Sequence, residues 1–167
     1  MCMLMVVVAS SCNKDDVITI TLNNNYRAAT PSSAEQWDRV WEYTPAPGQF
    51  INETKTGGFT GEELTPEAAA AYAERRMSEG AIVSLGGSGG YIVVGFDHSV
   101  DNVTGCDIAI RGNAFDGSSE PGVVWVMQDE NGDGEPNDTW YELRGSETGK
   151  AATIQNYSVT YFRPEAE

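Results

Sequence analysis

Short runs in which apolar and polar residues alternate occupy most of the second half of the chain. This period of two is typical of β-strands that bury one face. Six runs, separated by turns rich in Gly, Asn, Asp and Ser, predict strands at 81–85, 91–96, 107–111, 123–127, 139–144 and 157–163. A seventh run of the same kind lies at 17–22. We therefore expect a mainly β protein, an antiparallel β-sandwich of the jelly-roll type. Residues 123–127 are apolar throughout, which predicts a central strand covered on both faces.

One segment has the pattern of an α-helix, at about 66–79. Thr65 is a suitable N-cap, Pro66 suits the first turn, and Gly80 is a suitable stop. Apolar residues recur on one side of this helix at Ala69, Tyr72, Ala73 and Met77. Because alanine is small, we expect this side to pack closely against a sheet.

Residues 23–62 show no clear period, yet they are rich in aromatic residues. A loop-rich segment of this composition either covers the core or forms a binding face. Aromatic residues in loops and at strand ends are the predicted ligand-binding positions: Trp37, Trp41, Phe59, Phe115 and Trp140.

The beginning of the chain resembles a bacterial lipoprotein signal. Residues 1–11 carry no charge, and Val8-Ala-Ser-Ser-Cys12 resembles a lipobox, in which Cys12 is the lipidated residue. The usual basic start is missing, so we expect a truncated signal at 1–11, a lipidated cysteine with a linker at 12–16, and one domain at 17–167. The run Lys14-Asp-Asp16 resembles the surface-export signal of Bacteroidetes lipoproteins, which predicts a lipid-anchored protein on the outer membrane, facing the exterior.

The charge of the chain restricts its partners. Ten Lys and Arg against 25 Asp and Glu give a net charge of −15, which repels nucleic acid and anionic lipid surfaces. Once Cys2 is removed and Cys12 is lipidated, Cys106 is the one remaining thiol. We expect it to be a buried cysteine at the start of a strand.

An acidic run between two predicted strands, residues 129–138, matches half of a known calcium motif. Asp129-x-Asn131-x-Asp133-Gly134 follows the first half of the EF-hand loop, but Trp140 stands where the closing glutamate would be. The candidate calcium ligands are Asp129, Asn131, Asp133, Glu135, Asn137 and Asp138. The alternative is a metal-free hairpin turn, because Asn, Asp and Gly favour turns without a cation.

Several stretches resemble a family of surface lipoproteins from gut Bacteroidetes whose members are usually called "cell surface protein". The stretches are 42–52, 83–87, 95–99, 112–115, 119–126 and 140–143, within a region that covers about 40–163. A looser similarity links Phe-Asp, Asn-Ala-Phe, Glu-Pro and the Trp-Tyr pair to secreted β-sandwich domains of the discoidin or carbohydrate-binding type. The resemblance implies a β-sandwich that is accessory to nutrient uptake at the outer membrane.

Together these features predict a non-catalytic surface module that binds a glycan or another nutrient. One alternative is a structural or adhesive component whose partner is a protein such as an uptake receptor. A second alternative is a hydrolase, which depends on the single histidine, His98, and on scattered acids such as Glu120.

Overall fold

The computed structural model describes residues 25–118 and 121–165. The predicted signal at 1–11, the lipidated Cys12 and the predicted strand at 17–22 lie outside the described residues, as does Glu120. By its internal contacts the chain divides into two compact units. Among the described residues the first comprises 25–35, 96–118 and 121–145, and the second comprises 36–95 and 146–165.

Short antiparallel strands dominate the regular structure of the described residues. The strands are β1 (Arg39–Thr44), β2 (Tyr91–Gly95), β3 (Trp125–Met127) and β4 (Trp140–Glu142), and they form two sheets, β1-β2 and β3-β4. One α-helix, α1, spans Pro66–Ser78, and a 3-10 turn spans Thr54–Thr56. The mainly non-helical, antiparallel class is therefore confirmed, while the β-sandwich stays a prediction. None of the helices in the described part of the chain has the length and apolar character that crossing a bilayer requires.

Three predicted strands are wrong: 81–85, 107–111 and 157–163 take part in no ladder of the described structure. The backbone of 81–85 bonds to loops instead, with Ser84 N–H donating to Gly57 O at 3.0 Å and Ala46 N–H donating to Leu85 O at 3.0 Å. An alternating sequence favours an extended backbone, but a strand also needs a partner at the right distance. Conversely, β1 lies in the segment for which the sequence predicted no regular element.

Helix α1 agrees closely with its prediction because both of its ends are determined locally. The Thr65 hydroxyl accepts a hydrogen bond from the Ala68 N–H at 3.2 Å. At the other end Gly80 has a φ of 77°, and its N–H donates to Met77 O at 3.0 Å while Ala81 N–H donates to Arg76 O at 3.1 Å. This pair of bonds is a Schellman motif, which satisfies the last carbonyls of the helix.

The core of the second unit lies where α1 packs on β1. The buried side chains belong to one cluster: Val40, Tyr43, Ala69, Ala70, Tyr72 and Ala73. The predicted apolar side of the helix is confirmed, with Met77 packed at its edge. A bulge in β1 inserts Trp41 between the register pairs Val40↔Val94 and Glu42↔Val93. The bulge lets Val40 and Tyr43 both point into the core although they are three positions apart.

Three rings make an aromatic centre in this core. The Tyr43 ring centroid lies 5.3 Å from that of Phe59 and 6.5 Å from that of Tyr72, and Phe59 and Tyr72 are 6.0 Å apart. Both hydroxyls are satisfied, since Tyr43 Oη donates to Ser84 O at 2.6 Å and Tyr72 Oη donates to Gly58 O at 2.5 Å. The core therefore accepts two polar groups without leaving either unpaired.

Stability is expected to fall at high pH through Tyr43. Burial raises the pKa of this hydroxyl from 10.0 to about 12, with a smaller contribution from Tyr72. The unfolded chain releases this proton near pH 10, whereas the folded chain holds it, so stability is complete below pH 10 and is lost as the pH rises towards 12. We expect a loss of up to about 2 kcal/mol in the free energy of unfolding across that range. Urea titrations from pH 9 to 12 measure it, and an equal loss in Tyr43→Phe would contradict this assignment.

In the first unit, β3 and β4 form a hairpin, as predicted. The register pairs Trp125 with Glu142, Val126 with Tyr141 and Met127 with Trp140. The prediction that 123–127 is covered on both faces is wrong for the first part of the run, since Val123 is 66% and Trp125 50% exposed, but Val126 and Met127, which lie on opposite faces, are both buried. Val123 lies before β3 and outside its ladder, and Trp125 is the first residue of the strand, so the exposed positions are those at the beginning of the predicted run. The prediction that Cys106 is buried is also wrong, because Cys106 is exposed.

Candidate functional site

The acidic loop, residues 129–138, connects β3 to β4 and carries all of the predicted calcium ligands. Two glycines shape it, Gly132 with a φ of 80° and Gly134 with a φ of 81°. Side chains rarely adopt this left-handed backbone, so the two positions require glycine or strain the turn. The loop is therefore a defined turn, and its geometry decides where each oxygen lies.

Asp129 is the anchor of the acidic loop. Its residue is only 5% exposed, and its carboxylate accepts the N–H of Gly132 at Oδ1 (2.6 Å) and the N–H of Gly134 at Oδ2 (3.1 Å). Backbone amides that converge on a carboxylate stabilise the charged form and fix the turn around it. In this structure the Asp129 carboxylate therefore points into the loop, where it accepts hydrogen bonds from the loop backbone.

Three further predicted ligands contact one another directly. Asn131 Nδ2 donates to Asp133 Oδ2 at 3.0 Å and to Asn137 Oδ1 at 3.2 Å, and Asn137 Nδ2 donates to Asp133 Oδ2 at 2.9 Å. The N–H of Glu135 donates to Asp133 Oδ1 at 2.8 Å. The hydrogen bond from Asn137, followed by that from Glu135, lowers the pKa of the Asp133 carboxyl.

The remaining acids of the loop have separate surroundings. Asp138 Oδ2 accepts the N–H of Glu130 at 2.9 Å, which closes the loop across its base. Asn25 reaches in from the beginning of the described chain, where its Nδ2 donates to the carbonyl of Glu130 at 2.9 Å. A Cβ added to Gly132 would lie 2.7 Å from Asn25 Oδ1, so this contact also depends on the glycine.

The donor chemistry of the acidic loop fits a hard cation, because every predicted ligand supplies oxygen. The positions of these side chains match a metal site less well than their chemistry does. Among residues 25–118 and 121–165, no group of three or more Asp, Glu, His or Cys side chains converges as a metal site would require. Hydrogen bonds within the loop already satisfy the carboxylates of Asp129, Asp133 and Asp138. Amide donors therefore contact the acids of the turn, and the calcium site stays a prediction.

The predicted ligand-binding aromatics are divided between the two units. In the second unit, Phe59 packs edge-on against Tyr43 in the aromatic centre, so its ring is part of the core packing. Trp41 lies at the bulge of β1, where the guanidinium of Arg39 sits 4.6 Å from its ring centroid. Trp37 packs against the core from its edge and keeps part of its ring accessible. Of these three, Trp37 is the one beside an open cleft.

In the first unit the other two aromatics are accessible but differently supported. Phe115 is 69% exposed, in a tight turn closed by the hydrogen bonds between Phe115 and Ser118. Trp140 is 36% exposed and is held in β4 opposite Met127. Only the Trp140 ring is therefore fixed by a strand pair.

A cleft beside Trp37, which we call the Trp37 cleft, has a volume of about 500 Å3. One stripe of α1 and the residues just before β1 line it: Gln36, Trp37, Asp38, Ala71, Glu74, Arg75 and Ser78. The sequence predicted Trp37 as a ligand-binding residue but did not predict the polar residues that line the cleft. The spacing of 71, 74, 75 and 78 marks one side of a helix, and that pattern was the available signal.

Backbone hydrogen bonds join two residues of the Trp37 cleft, Glu74 and Asp38, to neighbouring strands. Glu74 Oε2 accepts the N–H of Val40 at 2.9 Å, which ties the helix to β1. The N–H of Asp38 donates to Gly95 O at 3.0 Å, so the segment before β1 continues alongside β2. The Arg75 guanidinium lies 5.8 Å from the ring centroid of Tyr72. A carboxylate held by a backbone N–H, a guanidinium and an indole thus line one cleft.

The histidine on which the hydrolase alternative depends forms a close pair. His98 Nδ1 lies 2.6 Å from Asp97 Oδ1, and this hydrogen bond is the largest cause of a lowered pKa at the Asp97 carboxyl. In the described part of the chain no hydrogen bond joins His98 to a serine or a cysteine. His98 therefore has an orienting acid but, among the described residues, no serine or cysteine in hydrogen-bond contact.

Comparisons with models of protein families and with curated proteins give no match to this chain.

Proposed function

We propose that this protein is a non-catalytic binding module for a glycan, which it holds in the Trp37 cleft. The observation that supports this most is the combination of one partly accessible indole with several polar side chains, one of them held by a backbone N–H, in a single cleft. Binding sites for small ligands combine an apolar surface with a few oriented polar groups.

The chemistry of a sugar suits this combination. Its ring offers a face of C–H groups, which packs on an indole, and an edge of hydroxyls, which both donate and accept hydrogen bonds. Asp38 and Glu74 accept, Arg75 donates, and Gln36 does both. Because Glu74 is already held by the Val40 N–H, it loses little freedom when a ligand binds.

The cellular setting that we propose follows from the start of the sequence. A lipid on Cys12 attaches the chain to the outer membrane, and the run Lys14-Asp-Asp16 directs it to the exterior. There the module is accessory to the uptake of the nutrient that it captures. We also propose that the fold is an antiparallel β-sandwich of the jelly-roll type.

A calcium ion in the acidic loop is a further part of the proposal. Asn131, Asp133 and Asn137 already lie within hydrogen-bond distance of one another, and they are the residues that would hold it, together with Asp129. The ion would stiffen the turn between β3 and β4 and take no part in any chemistry.

A panel of oligosaccharides, screened by thermal shift on the full chain, tests the glycan proposal. Any sugar that binds the folded state raises the melting temperature in a concentration-dependent way. We expect at least one member of the panel to do so. A panel of neutral, amino and acidic sugars that leaves the melting temperature unmoved at millimolar concentrations would contradict the proposal.

A further inference from the structure

The β3-β4 hairpin presents a second surface, which the glycan proposal does not use. In an antiparallel pair, opposite residues share a face, so Trp125 and Glu142 lie side by side. Trp140 is two positions from Glu142 on the same strand and therefore shares that face. On this face Val123, Trp125 and Trp140 are all at least one third exposed, whereas Met127, which pairs with Trp140, is buried. We call Val123, Trp125, Trp140 and Glu142 the hairpin face.

The charge around the hairpin face is strongly negative. Residues 123–144 contain six acids (129, 130, 133, 135, 138 and 142) and one base, Arg144, for a net charge of −5. Glu142 and the acids Glu130, Asp133 and Glu135 are exposed. An exposed indole beside a carboxylate, as Trp125 is beside Glu142, attracts a cation that can also stack on the ring.

We propose that the hairpin face docks an arginine-bearing extended segment of a partner protein. A guanidinium stacks on the Trp125 indole while its N–H groups donate to the neighbouring Glu142 carboxylate. Arginine suits this pair better than lysine, because the guanidinium is planar and loses less hydration on stacking. The second unit of the same chain contains a related contact, in which the Arg39 guanidinium lies 4.6 Å from the centroid of Trp41.

The strand geometry also suits an extended occupant. The β3-β4 sheet has only two strands among the described residues, so each strand has one paired side. An extended segment can add main-chain hydrogen bonds at an open edge while its side chains reach the face. A second copy of this chain is a poor occupant, since two hairpins of charge −5 repel each other.

The experiment uses the full chain and three fluorescein-labelled heptapeptides in which threonine alternates with Arg, Lys or Glu. Fluorescence anisotropy is read at 50 and 500 mM salt. We expect the Arg peptide to bind about fivefold more tightly than the Lys peptide, and the Glu peptide not to bind. High salt weakens the charge attraction, so the affinity of the Arg peptide falls as salt rises.

Matched variants locate the binding. Trp125→Ser and Glu142→Gln should each weaken the Arg peptide at least about threefold. Glu62→Gln makes the same change in charge at an exposed position of the second unit and should leave the affinity unchanged. Since Trp125→Ser could unfold the hairpin, Glu142→Gln serves as the second test, with circular dichroism to show that both variants are folded.

Four results would overturn the inference. They are equal affinity for the Arg and Lys peptides, no binding of the Arg peptide, equal loss in Glu62→Gln and Glu142→Gln, and displacement of the peptide by a sugar of the panel. A dimer in sedimentation that Trp125→Ser dissociates would also overturn it, by assigning the face to a second copy. None of these results depends on the Trp37 cleft.

Discussion

Replacing Asp129 with alanine is expected to lower the free energy of unfolding by about 3 kcal/mol, since two hydrogen bonds to a charged group are lost. The carboxylate accepts the amides of Gly132 and Gly134, and the residue is almost fully buried. Alanine leaves both amides without this acceptor and removes the group around which the turn is built. Urea unfolding, followed by tryptophan fluorescence, measures the loss.

Two variants serve as controls for Asp129→Ala. Asp129→Asn keeps one oxygen acceptor, so we expect a smaller loss. Glu130→Ala removes a neighbouring exposed acid whose backbone N–H, and not its side chain, donates to Asp138, and we expect a change within about 0.5 kcal/mol. Equal losses in Glu130→Ala and Asp129→Ala would show that the loop responds to its charge and not to the anchored carboxylate.

Melting temperatures of the unchanged chain and of Asp133→Ala test the calcium proposal. Added calcium should raise the melting temperature of the unchanged chain relative to chelator, because an ion bound only by the folded state stabilises it. Asp133→Ala removes a candidate ligand at an exposed position and should abolish that rise. If neither calcium nor chelator changes the melting temperature, the calcium proposal is contradicted and the acidic loop is a turn held by its own hydrogen bonds.

The second large effect is expected at Trp37. Trp37→Ala should weaken the binding of a sugar identified in the panel by roughly thirtyfold, the usual cost of truncating a central aromatic anchor. Titration calorimetry on the full chain measures the change. Trp37→Phe keeps a ring against the core and should retain part of the affinity. Trp41→Ala is the matched control, because its indole lies in the same unit at the bulge of β1 and outside the lining of the cleft.

Elements that are determined by local chemistry could be predicted from the sequence. Helix α1 follows from its Thr65 cap and Gly80 stop, and the β3-β4 hairpin follows from the turn residues between its strands. Strand β1 could not be predicted in the same way, because the inserted Trp41 breaks the alternation of its burial. The run at 157–163 shows the opposite error, since its alternating residues are all exposed and pair with no strand of the described chain.

The candidate sites were likewise predictable only in part. The sequence predicted which residues of the acidic loop carry oxygen, but not that backbone amides would occupy the Asp129 carboxylate. The Trp37 cleft joins residues 36–38 to a helix about thirty positions later. That proximity depends on how α1 packs on β1, which no local pattern contains.

The indole N–H signals of the four tryptophans, Trp37, Trp41, Trp125 and Trp140, test the central claim most directly. Each can be assigned by single substitution to phenylalanine and followed by NMR as a sugar identified in the panel is added. A sugar that binds in the Trp37 cleft should shift the Trp37 signal and leave the other three in place. A sugar that binds and shifts Trp125 or Trp140 while Trp37 stays fixed would contradict the account.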